Sequence, residues 1–239
     1  MNKNPDEEYF EIEVFKKGKS PYSISLFTQS QAHGLFWDSE IREKVFGLSA
    51  CKNDTKKYDI SCLENSLDPE ENVSIKTSSN NNIDCGDILR FYNGDFTKKY
   101  TIILLRYNQK ENTKKITEII EINYNLQLRN YLFGSITEEE LKNYVSQIKA
   151  IPPGEVAPET KKNYKEKKNQ LQTLYDMKIN ISPKVDSKSQ RRVQCSITKV
   201  NELLLLFPEL VRSRTVEPII RGVLITEIIN SGSRLRHQK

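Results

Sequence analysis

Hydrophobic positions along the chain follow two periods, one near 3.6 residues and one of 2, broken by clusters of Asn, Asp, Ser and Pro. From Gln29 to Gly47, QSQAHGLFWDSEIREKVFG spaces Leu35, Trp37, Ile41, Val45 and Phe46 as one helical face, with Gly47 as a stop. Lys57 to Ser61 and Asn72 to Thr77 are short β-type runs separated by CLENSLDPEE, whose Asn, Asp and Pro mark a turn, so a strand pair is expected. A Ser-Ser-Asn-Asn-Asn turn then leads into IDCGDILRFYNGD, read as a further turn opening a helix at Ile88. TIILLRYNQ and KKITEIIEINYN, with QKENTK between them, predict a hairpin of buried strands. Thr137-Glu-Glu-Glu140 is a capping box for a helix to about Lys149, ended by Pro152-Pro153-Gly154. PPGEVAPETKKNYKEKKNQ reads as a linker or as a loop entering a lysine-rich helix. MKINIS and RRVQCSI predict a second hairpin across PKVDSKSQ, followed by a leucine-rich helix from Val200 to Leu210. No internal repeat is present.

Composition narrows the class. With 36% hydrophobic and 29% charged residues in 239, the chain is too apolar for a disordered protein and fits an α/β domain. Its longest apolar runs, Thr101 to Leu105 and Leu203 to Phe207, fall far short of the roughly 20 residues of a membrane helix. The acidic opening MNKNPDEEYF lacks the basic-then-apolar order of a secretory signal, and a cytoplasmic location is expected. Four cysteines without a C-x-x-C pair and only two histidines leave a zinc site or disulfide framework short of ligands, so any metal is expected on oxygen. The net charge of +5 is uneven. Residues 151–239 carry 17 Lys and Arg against 9 Asp and Glu, and a polyanion is the natural partner of such a segment. The competing source of the excess is a lysine-rich composition overall.

Candidate chemistry lies on the first strand pair. Asp59 and Lys76 stand 17 positions apart across a turn, so an acid and an ammonium converge if the two runs pair. With the Ile75 carbonyl as a second oxygen ligand, they form the parts of a Mg²⁺-dependent phosphodiesterase. One acid holds Mg²⁺ weakly, and further acids nearby are Glu40 on the predicted first helix and Asp84 or Asp87 in IDCGD. Asp is disfavoured on strands, which argues for a role at Asp59. By periodicity alone Glu43 serves as well as Glu40, Lys76 could instead guard a strand edge, and Asp87 could simply cap the following helix.

In this order of elements the chain resembles the PD-(D/E)XK nucleases, and within them the Type II restriction endonucleases. HGLFWDSEIREKVFG resembles the family's glutamate helix with Glu40 in place, YDIS the aspartate strand, and SIKTS the lysine strand; SIKTSSNNNIDCGDILRFY is similar to a stretch in several restriction enzymes. The resemblance spans roughly residues 29–125. It implies a restriction-endonuclease-like core with a mixed central sheet flanked by helices, double-stranded DNA as substrate, Mg²⁺ as cofactor, and a cognate DNA methyltransferase as a genetic rather than physical partner. Ser74 departs from the pattern, standing where the family carries Glu or Asp. Some members with serine there take a carboxylate from a helix about a dozen residues after the lysine, which points to Asp87 over Asp84.

The basic segment supplies a candidate reader. Lys188, Gln190, Arg191, Arg192 and Gln194 are residue types that bond base edges in the major groove, which admits a two-stranded ribbon. Alternation puts Gln190, Arg192 and Gln194 on one face and Arg191, Val193 and Cys195 on the other. The expected organisation is a catalytic core over residues 1–150 and a basic recognition portion over 151–239, packed as one continuous domain. Cutting both strands of a symmetric site calls for a C₂ homodimer, with helix 137–149 or helix 200–210 at the interface. The alternatives are a structure-specific nuclease, such as a resolvase or repair nickase, and a non-catalytic DNA-binding protein.

Overall fold

A computed structural model describes residues 10–14, 22–26, 32–49, 57–111, 113–186 and 190–230. It is mixed α/β, with sheets flanked by helices. The chain divides into two compact units. Residues 1–80, 101–122 and 211–239 form the first, and 81–100 with 123–210 the second. The dividing lines therefore do not fall at residue 150, because the strands Val211–Thr215 and Ile228–Asn230 pair with the earlier hairpin rather than with the basic segment before them. Positive charge concentrates in the second unit, with 17 Lys and Arg against 13 Asp and Glu; the first holds 20 against 19.

The first unit is built on the buried hairpin. β5 (Lys99–Lys110) and β6 (Thr113–Asn123) sit inside a seven-stranded sheet ordered β2-β1-β12-β6-β5-β3, with β9 also on β6. Here β1 is Phe10–Val14, β2 Tyr22–Leu26, β3 Glu71–Ser78, β9 Val211–Thr215 and β12 Ile228–Asn230. Strand β5 is buried on both faces from Tyr100 to Leu105, which explains its unbroken apolar run. Helix α1 (Ala32–Lys44) buries Phe36, Trp37 and Ile41 in a core with Val73 and Ile75 of β3 and Ile103, Leu105 and Tyr107 of β5.

A buried carboxylate at the start of β3 ties this unit together. Glu71 is fully buried and accepts hydrogen bonds from Arg221 Nη1 (2.7 Å) and Nη2 (2.9 Å), Thr101 Oγ1 (2.6 Å) and Asn65 Nδ2 (3.2 Å), with Arg212 Nη1 also bonded to it. Burial works to raise the Glu71 pKa, but the bonds from Arg221 and Thr101 and the two guanidinium charges hold it below the ordinary carboxylate value. Arg221 and Gly222 have φ of 49° and 82° and form the two-residue turn between β10 (Ile219–Ile220) and β11 (Val223–Leu224). A positive φ is uncommon for arginine, and the guanidinium here is gripped by Glu71 and Glu121 together.

The second unit carries a three-stranded sheet, β4-β8-β7, of β4 (Ile83–Asp87), β8 (Arg191–Ile197) and β7 (Asn180–Val185). IDCGD is thus a strand rather than a turn, because β8 arrives from far along the chain to pair with it. Around it lie α2 (Ile88–Tyr92), α3 (Leu126–Phe133), α4 (Glu138–Lys149), α5 (Pro158–Leu174) and α6 (Val200–Leu206). The capping box at Thr137 and Glu140 is formed as expected, and Leu141, Tyr144, Val145 and Ile148 of α4 are buried. Alternative readings of the lysine-rich segment resolve to helix α5. The leucine-rich helix stops at Leu206, one 3₁₀ turn (Pro208–Leu210) before its expected end, since Pro208 cannot extend the α-helical bonding.

Replacing Glu71 by Ala leaves two arginines without their shared anion and is expected to cost about 3 kcal/mol in urea unfolding, against about 1 kcal/mol for Thr137→Ala. Because the folded-state pKa of Glu71 is depressed, its contribution is present above the unfolded carboxylate pKa and is lost as pH falls through the folded one. The stability gap between wild type and Glu71→Gln is therefore expected to close on acidification and to hold at pH 7.

Candidate active site

β3 ends the strand order on its side of the sheet, and beyond it runs the segment bearing Asp59. Among the described residues of that segment only Ile60 pairs with β3, exchanging both backbone bonds with Val73 (3.0 and 2.8 Å). The expected strand over 57–61 is reduced to this single bridge because side chains take over the bonding on either side. Asp59 Oδ2 accepts from the Ile75 N–H at 2.7 Å, and Asn72 Oδ1 accepts from the Cys62 N–H at 2.9 Å. The Asp59 carbonyl in turn accepts from the Arg42 guanidinium of α1.

The convergence expected from sequence is present at this edge. Lys76 Nζ lies 3.2 Å from Asp59 Oδ2, and both side chains are a little under one-third exposed, at 27% and 30%. Strand geometry adds a third group. Val73 and Ile75 are two residues apart and direct their N–H and C=O groups to the same side, so the Ile75 carbonyl faces the edge where Asp59 sits. Asp59 Oδ1 has no hydrogen-bond donor among the described residues. A carboxylate oxygen and a backbone carbonyl are thus directed to one partly open edge, with an ammonium beside them. These are hard-oxygen donors of the kind Mg²⁺ takes while keeping much of its water.

The other expected acids have different partners. Glu40 is buried, and its carboxylate accepts from the Thr226 N–H (2.9 Å) and Thr226 Oγ1 (2.6 Å) and pairs with Lys44. Trp37, one turn earlier on α1, donates from Nε1 to the Thr226 carbonyl at 2.9 Å. Together these two side chains clamp the strand-free segment before β12. Asp87 lies in the second unit, where its Oδ1 caps α2 by accepting from the Arg90 N–H at 3.0 Å. Asp84 Oδ1 accepts from the Gly86 N–H at 2.9 Å. Ser74 is buried on β3. Among the described residues no group of three or more His, Cys, Asp or Glu side chains gathers as a metal site. His33 lies within α1.

On the hairpin β7–β8 the expected alternation holds: Val193 and Cys195 are buried, and Arg192 is exposed with Gln194 half-buried. Lys184 pairs across from Arg192, and Ser182 and Asp87 flank Gln194, so one sheet face carries Lys184, Arg192, Gln194 and Ser182. Arg191 has a different position. Its Nε donates to the Ile151 carbonyl (2.9 Å), Nη1 to the Asp186 carbonyl (2.9 Å) and Nη2 to the Gly154 carbonyl (3.2 Å), so it pins the Pro-Pro-Gly turn. Gln190 is exposed at the hairpin end, and Lys188 falls outside the described residues.

Two groups that sequence reasoning did not single out are buried in the first unit. Lys114 on β6 lies over the Tyr107 ring, 5.6 Å from its centroid, and burial pushes its pKa down to about 8. Burial likewise raises the Tyr107 phenol, partly offset by a hydrogen bond with Ser79. A lysine between Thr113 and a second lysine, Lys115, gave no sign of its burial.

No family model, curated protein sequence or solved structure matches the chain. No helix among the described residues is long and apolar enough to cross a membrane.

Asp87→Ala is expected to lower the unfolding free energy by about 1 kcal/mol and Asp87→Asn to leave it nearly unchanged, because asparagine caps a helix as well as aspartate. Urea titrations of the two variants check this.

Proposed function

We propose that the chain is a Mg²⁺-dependent endonuclease of duplex DNA, of the Type II restriction kind, with a restriction-endonuclease-like core and its reacting centre at Asp59, Ile75 and Lys76. The observation that carries this reading is the 3.2 Å approach of Lys76 to an Asp59 carboxylate at the open edge of β3. Asp59 and the Ile75 carbonyl would hold the cation, which supplies positive charge against the scissile phosphate when bound. The Lys76 ammonium, oriented by Asp59 Oδ2, is placed to hold the attacking water and to stabilise charge developing on the phosphate oxygens. The Ile75 N–H fixes the Asp59 carboxylate, so the acid and the lysine are preorganised rather than ordered by substrate. In this reading Glu40 acts through the fold, by clamping Thr226, and Asp87 as a helix cap.

Recognition is proposed for the face of β7 and β8 bearing Lys184, Arg192 and Gln194, with Gln190 at its hairpin end; Lys188, outside the described residues, is proposed from its residue type alone, and Arg191 positions the hairpin. Arginine and glutamine are the side chains suited to guanine and adenine edges. A C₂ homodimer would bring two such centres to the two strands. Of the two helices considered for its interface, α4 spends its apolar face in its own core, whereas α6 leaves Leu205 and Leu206 exposed.

Lys76→Ala and Asp59→Ala are each expected to abolish cleavage of duplex DNA in Mg²⁺ while keeping binding in Ca²⁺ within about tenfold of wild type, since one contact near the reacting phosphate contributes about 1.4 kcal/mol or less to ground-state affinity. Asp87→Asn is expected to cut at close to the wild-type rate with an unchanged Mg²⁺ requirement. Near wild-type cleavage by either the Lys76 or the Asp59 variant would place the reacting centre elsewhere.

A further inference from the structure

The second unit holds a small open pocket of about 240 Å³ whose lining the proposed reaction does not use. Phe96, Tyr100 and Tyr124 form its aromatic wall, with Asn123, Gln127 and Lys98 around it. Tyr124 is the hub of an aromatic cluster. It stacks on Phe91 at 4.2 Å, meets Tyr100 edge-on at 5.2 Å and lies 5.5 Å from Phe96. Tyr124 and Tyr100 are buried, and the Tyr124 hydroxyl is used up on the Phe91 carbonyl at 3.1 Å. Phe96 is half-buried, and its ring packs close over Gly94, where a Cβ would come within 2.8 Å of it. The cluster therefore has a fixed interior and one partly open ring at its mouth.

The polar lining is uneven in a useful way. Asn125 spends its side-chain oxygen capping α3 through the Leu128 N–H, and Gln127 donates to Glu209. The Asn123 amide, at the end of β6, has no hydrogen-bond partner among the described residues, so a donor and an acceptor remain on one planar group beside an aromatic ring. At 240 Å³ the pocket is smaller than the roughly 300–1,000 Å³ that encloses a drug-sized ligand, so its occupant is a single ring system with the rest of the molecule outside.

We propose that this pocket takes one unstacked purine base, with Phe96 as the stacking platform, the Asn123 amide bonding the base edge and Lys98 at the rim. An amide that donates and accepts side by side matches adenine, whose N6 donates and N7 accepts. Stacking on an aromatic ring needs no particular base, so Phe96 supplies affinity and Asn123 preference. The base can come from a nucleic-acid strand or from a free nucleotide. The inference is independent of cleavage, but on the nuclease reading it assigns a second contact to the substrate strand.

The test is fluorescence anisotropy in EDTA, where no cutting occurs, with a labelled deoxyadenosine hexamer and a hexamer of the same backbone lacking its bases. Wild type is expected to bind the adenine hexamer about tenfold more tightly than the abasic one, and Phe96→Ala to remove that difference. Asn123→Ala is expected to remove the preference for the adenine hexamer over a thymidine hexamer while leaving the gap to the abasic strand. Circular dichroism melting of both variants checks that they fold. Competition with deoxyadenosine monophosphate separates the sources. Displacement by the free nucleotide at comparable concentration assigns the pocket to nucleotides, and weak displacement assigns it to a strand. Equal binding of adenine and abasic hexamers by wild type would overturn the inference, as would a Phe96→Ala variant that keeps the difference. Because the comparison is between strands in the absence of metal, it stands or falls separately from Asp59 and Lys76.

Discussion

Glu71 is the anchor on which the first unit depends. It is a carboxylate with no solvent exposure, and it is tolerable there only because five donors from four other places in the chain converge on it. Those donors come from Asn65, Thr101 on β5, Arg212 on β9 and Arg221 in the β10–β11 turn, so one ionised group fixes the origin of β3 against the middle and the far end of the chain. Four residues along the same strand, Ile75 presents the N–H that orients Asp59. A strand pinned at its start by charge and along its length by Val73 and Ile75 in the core is a rigid support for the reacting centre proposed at its exposed edge.

The edge itself follows from a substitution of side chain for backbone. An outer strand would ordinarily continue pairing with β3 past Ile60. Asp59 instead gives its carboxylate to the Ile75 N–H, which ends the ladder and leaves a carboxylate oxygen, a carbonyl and Lys76 together where a further strand would have covered them. The same bond thus closes the sheet and opens the site. α1 contributes from its own side, with Arg42 on the Asp59 carbonyl and Trp37 with Glu40 on Thr226.

What the sequence disclosed was local. The capping box of Thr137 and Glu140, the apolar run of β5, the face of α1 and the alternation through Arg192 and Gln194 depend on neighbours a few residues away, and each is visible as a period or a pair. The approach of Asp59 to Lys76 was legible for the same reason, since a short turn joins them. The partners of Glu40, Glu71 and Asp84's strand are up to 186 residues distant, and no local pattern marks an acid that will be buried. The fate of Arg191 illustrates this. By residue type it suits a base edge, but the Pro152-Pro153-Gly154 turn folds beneath it and takes its donors. The division of the chain was hidden likewise, because the strands Val211–Thr215 and Ile228–Asn230 look like an extension of the basic segment until their pairing with β6 is seen.

The measurement that bears most directly on the account is digestion of a plasmid of known sequence by the wild-type protein in Mg²⁺ and in EDTA, followed by run-off sequencing of the products. A site-specific nuclease reacting at Asp59 and Lys76 gives discrete fragments with Mg²⁺ and intact plasmid with EDTA. Nicks without sequence preference would contradict the recognition assigned to β7 and β8, and a plasmid left intact in Mg²⁺ would contradict the reaction itself.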